Sequence, residues 1–128
     1  MKITRFEDLE VWQEAREICK IVYDITSIEP CKQDFKFRDQ IRASAGSIMD
    51  NIAEGFDRGG NKEFIQFLSI SRGSVAELRS QSYRAFDVKH ITETQLEELL
   101  TRTDSISRKI YSLIQHLKNS DIKGLKYK

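Results

Sequence analysis

Arg84 and His90 stand in an R-x5-H spacing, one place in this sequence where acid–base chemistry could sit. An imidazole can give or take a proton near neutral pH, and a guanidinium can hold developing phosphate charge. So short a motif arises easily by chance, however. His90 also falls where its helical pattern is fading, so it would be loosely held. His116 lacks even that neighbour, and without further support both histidines read as surface or boundary residues.

Two other groups carry potential chemistry. Arg42, Arg58, Lys62, Arg72, Arg79 and Arg84 are candidate phosphate contacts, joined by Lys123, Lys126 and Lys128 near the C-terminus. Arginine suits that role because its planar fork bonds two oxygens at once. Asn51 and Glu54 lie three residues apart and so share one helical face beside Ile48 and Ile52. A carboxylate at a core boundary needs a donor to offset its desolvation, which makes Arg72 and Arg79 its candidate partners. The expectation is a structural polar network of Asn51, Glu54 and Arg72 that fixes helix register. The alternative is a polar pocket holding a partner's backbone or phosphate. Cys19 and Cys31 form no CxxC pair or Cys/His cluster, and no helical E-x-x-H motif occurs. No metal and no cofactor is therefore expected. Both cysteines are expected as reduced thiols, with Cys19 a small core residue.

Four helices must position these groups. One proline and six glycines leave few turn-forming residues, which favours long helices over strands. The first helix is expected over about 6–26. Val11, Ala15, Ile18, Val22 and Ile25 repeat on one face, and Glu7, Asp8 and Glu10 are placed in its first turn. SIEPCK ends it, because proline restricts the residue before it. The second, about 34–58, carries Phe37, Ile41, Ala45, Ile48 and Ile52. Gly59-Gly60 breaks the pattern, and Asn61 is placed as the cap of a third helix, about 61–89. That helix carries Phe64, Phe67, Leu68, Val75, Leu78 and Phe86. Thr92 and Gln95 make a capping box for the fourth, about 93–118, with Leu96, Leu99, Thr103, Ile106, Ile110, Leu113 and Leu117 on its stripe. Residues 120–128 read as a basic tail. Short links make consecutive helices antiparallel, so the fold class is all-α: a single-domain, up-down-up-down four-helix bundle over 1–119. Small residues crowd RASAGSIMDNIAEG and SISRGSVAE. They predict a tight crossing with Gly46 and Ser47 opposite Arg72 and Gly73.

The formal net charge is +1 and the pI about 7.8, far less basic than a protein that grips many phosphates by charge alone. A gradient lies beneath that total. Residues 1–31 hold four basic and seven acidic side chains, and residues 61–128 twelve and eight. Assembly could gather the basic half into one field. The N-terminus lacks a signal-peptide apolar region and no apolar run approaches a membrane span, so a cytoplasmic location is expected.

The run QIRASAGSIMDNIAEGFDRGGNKEFIQFLSISRGSVAEL resembles the bacterial four-helix-bundle proteins of 23S rRNA intervening sequences. Their pattern is an NIAEG segment, a glycine-rich or polar turn, an EF..FL segment and a GS..EL segment. Here these fall on Asn51 to Gly55, Gly59-Gly60, Glu63 to Leu68 and Gly73 to Leu78. The opening FEDLEVWQEA is similar too, at Phe6, Leu9, Trp12 and Ala15. Ala43 departs where a second arginine is common, and Met49 where a proline is common. The resemblance implies an antiparallel four-helix bundle without established enzyme activity. Through related accessory variability proteins of diversity-generating retroelements, it also implies a homo-oligomeric ring, a pentamer, that binds nucleic acid and a protein partner. Extra apolar positions at Trp12, Leu100, Tyr111 and Ile114 agree with self-assembly.

The leading functional expectation is thus a non-catalytic homo-oligomer that binds RNA or a ribonucleoprotein. A protein-only scaffold is the alternative from a second class, favoured by the near-neutral charge. A ribonuclease is the third, because the Arg84 and His90 spacing resembles the motif of HEPN-type helical ribonucleases.

Overall fold

The computed structural model describes residues 2–120, so Lys123, Lys126 and Lys128 lie outside the described residues. It holds four α-helices: α1 (Glu10–Thr26), α2 (Phe35–Asp57), α3 (Asn61–Asp87) and α4 (Glu93–Lys118). Among the described residues there is no strand. Each helix packs on the next, and α4 returns to α1. Partner numbers fall on one helix as they rise on its neighbour. Ser47 meets Ser74 while Gln40 meets Arg84, and Arg72 meets Ser107 while Arg79 meets Leu100. Neighbours are therefore antiparallel, as the short links require.

The core follows the stripes read from the sequence, except that Phe37 and Phe67 are only half-buried at its edge. Ala15, Ile18, Ile48, Ile52, Leu68, Val75, Leu78, Leu99, Ile106 and Ile110 are all essentially sealed from water. The capping box on α4 is complete: Gln95 N–H donates to Thr92 Oγ1 at 3.1 Å, and Thr92 N–H donates to Gln95 Oε1 at 2.8 Å. Asp34 caps α2 by accepting from Phe37 N–H. Gly59 takes φ 99°, a turn conformation that glycine enters without the steric cost of a Cβ. At the far end of α3, Lys89 takes φ 67° and His90 N–H reaches back to Ala85 O at 2.8 Å. That left-handed exit closes the helix and ends the pattern near His90.

Several expectations need correction. The first helix is split: Phe6–Asp8 forms a separate 3-10 turn, so only Glu10 of the three acids lies in the first turn of α1. Glu7 and Asp8 instead answer Arg5, at 4.0 and 3.4 Å. Asn61 is the first residue of α3 and Gly60 its cap; Asn61 Nδ2 instead donates to Leu117 O on α4. Phe86 is exposed. On α4 the stripe passes from Ile110 to Ile114, leaving Leu113 half-exposed, because a strict seven-residue repeat drifts around a 3.6-residue helix. Ile114 is thus core rather than spare surface.

The small-residue crossing is real but displaced. Gly46 and Gly73 have nothing within 4 Å of where a Cβ would stand. The close approach is at Gly55, whose Cβ would sit 2.5 Å from that of Phe67. Ser47 Oγ accepts from Ser74 Oγ at 2.8 Å, and Ser71 Oγ donates to Ile48 O at 2.8 Å.

Candidate functional site

The six candidate phosphate residues do not gather on one face. Arg42 reaches the end of α1, donating to Thr26 Oγ1 at 2.8 Å and Ser27 Oγ at 3.1 Å, with its guanidinium 3.9 Å from the Tyr23 ring centre. Arg58 pairs with Glu54 at 2.8 Å and lies over Phe67. Arg72 donates to Ser107 and lies over Tyr111, 4.9 Å from the ring centre. Arg79 is half-buried and spends one terminal nitrogen on Leu100 O and Thr103 Oγ1, both at 2.9 Å. Arg84 lies over Phe37 and makes a long 3.5 Å contact to Gln40 Oε1. Lys62 is exposed in the first turn of α3.

The expected Asn51–Glu54–Arg72 network does not form. Asn51 Nδ2 turns back onto its own helix, to Ser47 O at 2.8 Å and Ser47 Oγ at 2.9 Å. Glu54 meets Arg58 at the surface. Arg72 and Arg79 face α4 rather than α2. The two serine hydrogen bonds between α2 and α3 supply the polar register that the network was meant to supply.

His90 is not free to act as an exposed base. Its Nε2 is 2.9 Å from Asp34 Oδ2, its Nδ1 is buried without a partner among the described residues, and only 11% of its side chain is exposed. The same contact holds the Asp34 carboxyl below its ordinary range. Phe37 touches both members of the R-x5-H pair, with the His90 ring at 5.6 Å and the Arg84 guanidinium at 5.1 Å from its centre. The spacing therefore records packing on Phe37. Neither thiol is poised as a nucleophile. Burial pushes Cys19 up to about 11, and its Sγ donates to Ala45 O; burial raises Cys31 as well. Cys19 is half-buried and Cys31 fully buried, and both are free.

One open feature is a groove on the outer side of α2 and α3, of about 560 Å³, walled by Gln40, Ala43, Ser44, Glu77, Gln81 and Arg84 among others. It adjoins a second hollow of about 480 Å³ that shares Gln40 and Arg84 and adds Phe37 and Val88. Gln40 and Gln81 were missed in the sequence; a polar residue near a helical stripe gives no local sign that it lines a groove. On the opposite side, Lys109 reaches across from α4 to Glu10 at 2.8 Å and to Glu14, beside a hollow of about 340 Å³ lined by Leu9, Val11 and Leu113. Among the described residues, no group of three or more His, Cys, Asp or Glu could hold a metal ion, and no helix is long and apolar enough to cross a membrane.

These features define an all-α, single-domain four-helix bundle with hollows on both its α2–α3 and its α1–α4 sides. The chain belongs to the family described as 23S rRNA-intervening sequence protein, whose profile matches residues 7–112. A crystal structure of a protein of unknown function from the S23 ribosomal protein family of Bacteroides thetaiotaomicron superposes with a TM-score of 0.74 at 25% identity, covering 82% of this chain and 98% of that one. No protein with a curated description matches.

Proposed function

We propose that the chain is a non-catalytic, self-assembling helical bundle that binds RNA or a ribonucleoprotein partner. The observation that carries the RNA part is the set of guanidinium groups laid over aromatic rings: Arg42 on exposed Tyr23, Arg72 on exposed Tyr111 and Arg58 on half-buried Phe67. Each guanidinium keeps N–H donors beyond those its own fold uses. A stacked arginine holds its fork rigid toward phosphate, and an exposed ring can take a base. Self-assembly is supported by the apolar side chains left half-exposed along α1 and α4, Trp12, Leu100 and Leu113. The family resemblance makes a pentameric ring the form proposed.

Fluorescence anisotropy with a single-stranded RNA of about 20 nucleotides, alongside mass measurement in solution, tests this reading. Three phosphate contacts predict roughly a 20-fold loss of affinity between about 50 and 200 mM salt, and Arg72→Gln should reduce the slope. No binding at low salt would remove the RNA role, and a monomeric mass would remove the ring. The scattering of the arginines over several faces favours a second reading, a protein-only scaffold. A set of partners captured from cells and unchanged by nuclease would support it.

A further inference from the structure

Gln81 is nine-tenths buried in the wall of the α2–α3 groove, and its Oε1 is out of water with no hydrogen-bond partner among the described residues. Such an oxygen is a cost that the fold carries, and a turn of the Gln81 side chain toward the groove, where a donor meets it, removes that cost. Glu77 lies four residues before Gln81 and Arg84 three residues after, so helical periodicity sets all three on one stripe of α3. Among the described residues, neither charge has an ion-pair partner within 4.0 Å. The facing wall from α2 is built of short or neutral side chains, Gln40, Ala43 and Ser44, and so stays open.

The charge along the two adjoining hollows argues against a nucleic-acid strand. Asp34, Glu77 and Asp87 outnumber Lys36 and Arg84, so a phosphodiester would meet more like charge than opposite charge. A polypeptide meets the same groups well. It brings backbone N–H for Gln81, carbonyl for the glutamine amides, and side chains of either sign.

We propose that the α2–α3 groove is a binding site for an extended peptide segment of a protein partner, with a backbone N–H on Gln81 Oε1, a carboxylate on Arg84 and a basic side chain on Glu77. Seven residues of α-helix rise about 10.5 Å, at about 1.5 Å each. A polyproline II segment advances about 9 Å in three residues and then presents the same face. The pattern expected in the ligand is a basic residue and an acidic one with two residues between. The site is separate from the arginine–aromatic stacks assigned to RNA, so the two readings fail independently.

The test is selection of a displayed random dodecapeptide library on the full chain, followed by anisotropy with the enriched sequences. Enrichment of basic-x-x-acidic peptides is expected, with affinity cut roughly tenfold by Gln81→Leu. Glu77→Lys, an exposed change, should shift selection toward acidic residues at both positions. No enrichment, or peptides indifferent to both substitutions, would overturn the proposal. So would a single-stranded RNA that displaces the peptide and shares its dependence on Gln81, which would give the groove to nucleic acid. A change in solution mass with Arg84→Glu would give it to a second copy of the chain, with the same consequence.

Discussion

α2 and α3 meet through hydroxyls and a glycine, while α1 and α4 meet through a lysine that spans a gap. On the first side Gly55 admits the backbone of α2 almost onto Phe67, and two serine bonds, one buried and one half-buried, tie the helices together. On the second, Lys109 reaches Glu10 and Glu14 at the surface above a hollow lined by Leu113. This is also the sparsest of the four contacts between neighbouring helices. The two sides close the same bundle by different physics. Close packing gains dispersion and desolvation that water does not screen. An exposed ion pair contributes little and leaves its apolar neighbours available to another molecule.

Truncation should expose that contrast most strongly. Leu68→Ala, at a fully buried position on α3, should cost about 2–5 kcal/mol, whereas Leu113→Ala on α4 should cost roughly 1 kcal/mol. Urea unfolding followed by circular dichroism reads both, and equal losses would mean that the α1–α4 side is as tightly packed as the other.

The glycines sharpen the comparison with changes of opposite sign. Gly55→Ala forces a Cβ into Phe67 and should lose about 1–3 kcal/mol. Gly73→Ala meets open space in mid-helix and should gain up to about 1 kcal/mol. A Gly73→Ala that destabilises the protein would show that something packs there which the single chain does not contain.

The smallest effect concerns pH. The hydrogen bond and charge of Lys109 hold the Glu10 carboxyl below its ordinary range. A depressed folded-state pKa contributes stability that is present above the ordinary carboxylate range and lost as pH falls through the lowered value. In an NMR titration, Glu10 should titrate at lower pH than a free glutamate, and Lys109→Met should return it to normal. The stability change itself should be slight, because the pair is exposed.

The parts legible in the sequence share one property: their cause lies within a few residues. Val11 through Ile25 and Leu96 through Ile110 show their buried faces by spacing alone. Thr92 and Gln95 show their cap because both partners stand in one tetrapeptide. Arg42, Arg72, Arg79 and Arg84 were legible as cations but not as to their partners. Each finds its partner on another helix: Thr26, Ser107, Leu100 and Gln40. The His90–Asp34 contact joins residues 56 positions apart and left no trace in either neighbourhood.

By itself the sequence determined four helices, most of their buried stripes, their ends to within about four residues, and the antiparallel order that short links impose. Tertiary structure alone decided which polar groups meet, where the tight crossing falls, and which glutamine lines the groove with no donor among the described residues. The reason is rotational. Each residue turns a helix by about 100°, so a register uncertain by one position swings a side chain from one neighbour to another. A broad apolar stripe tolerates that error, but a hydrogen bond between two particular atoms does not.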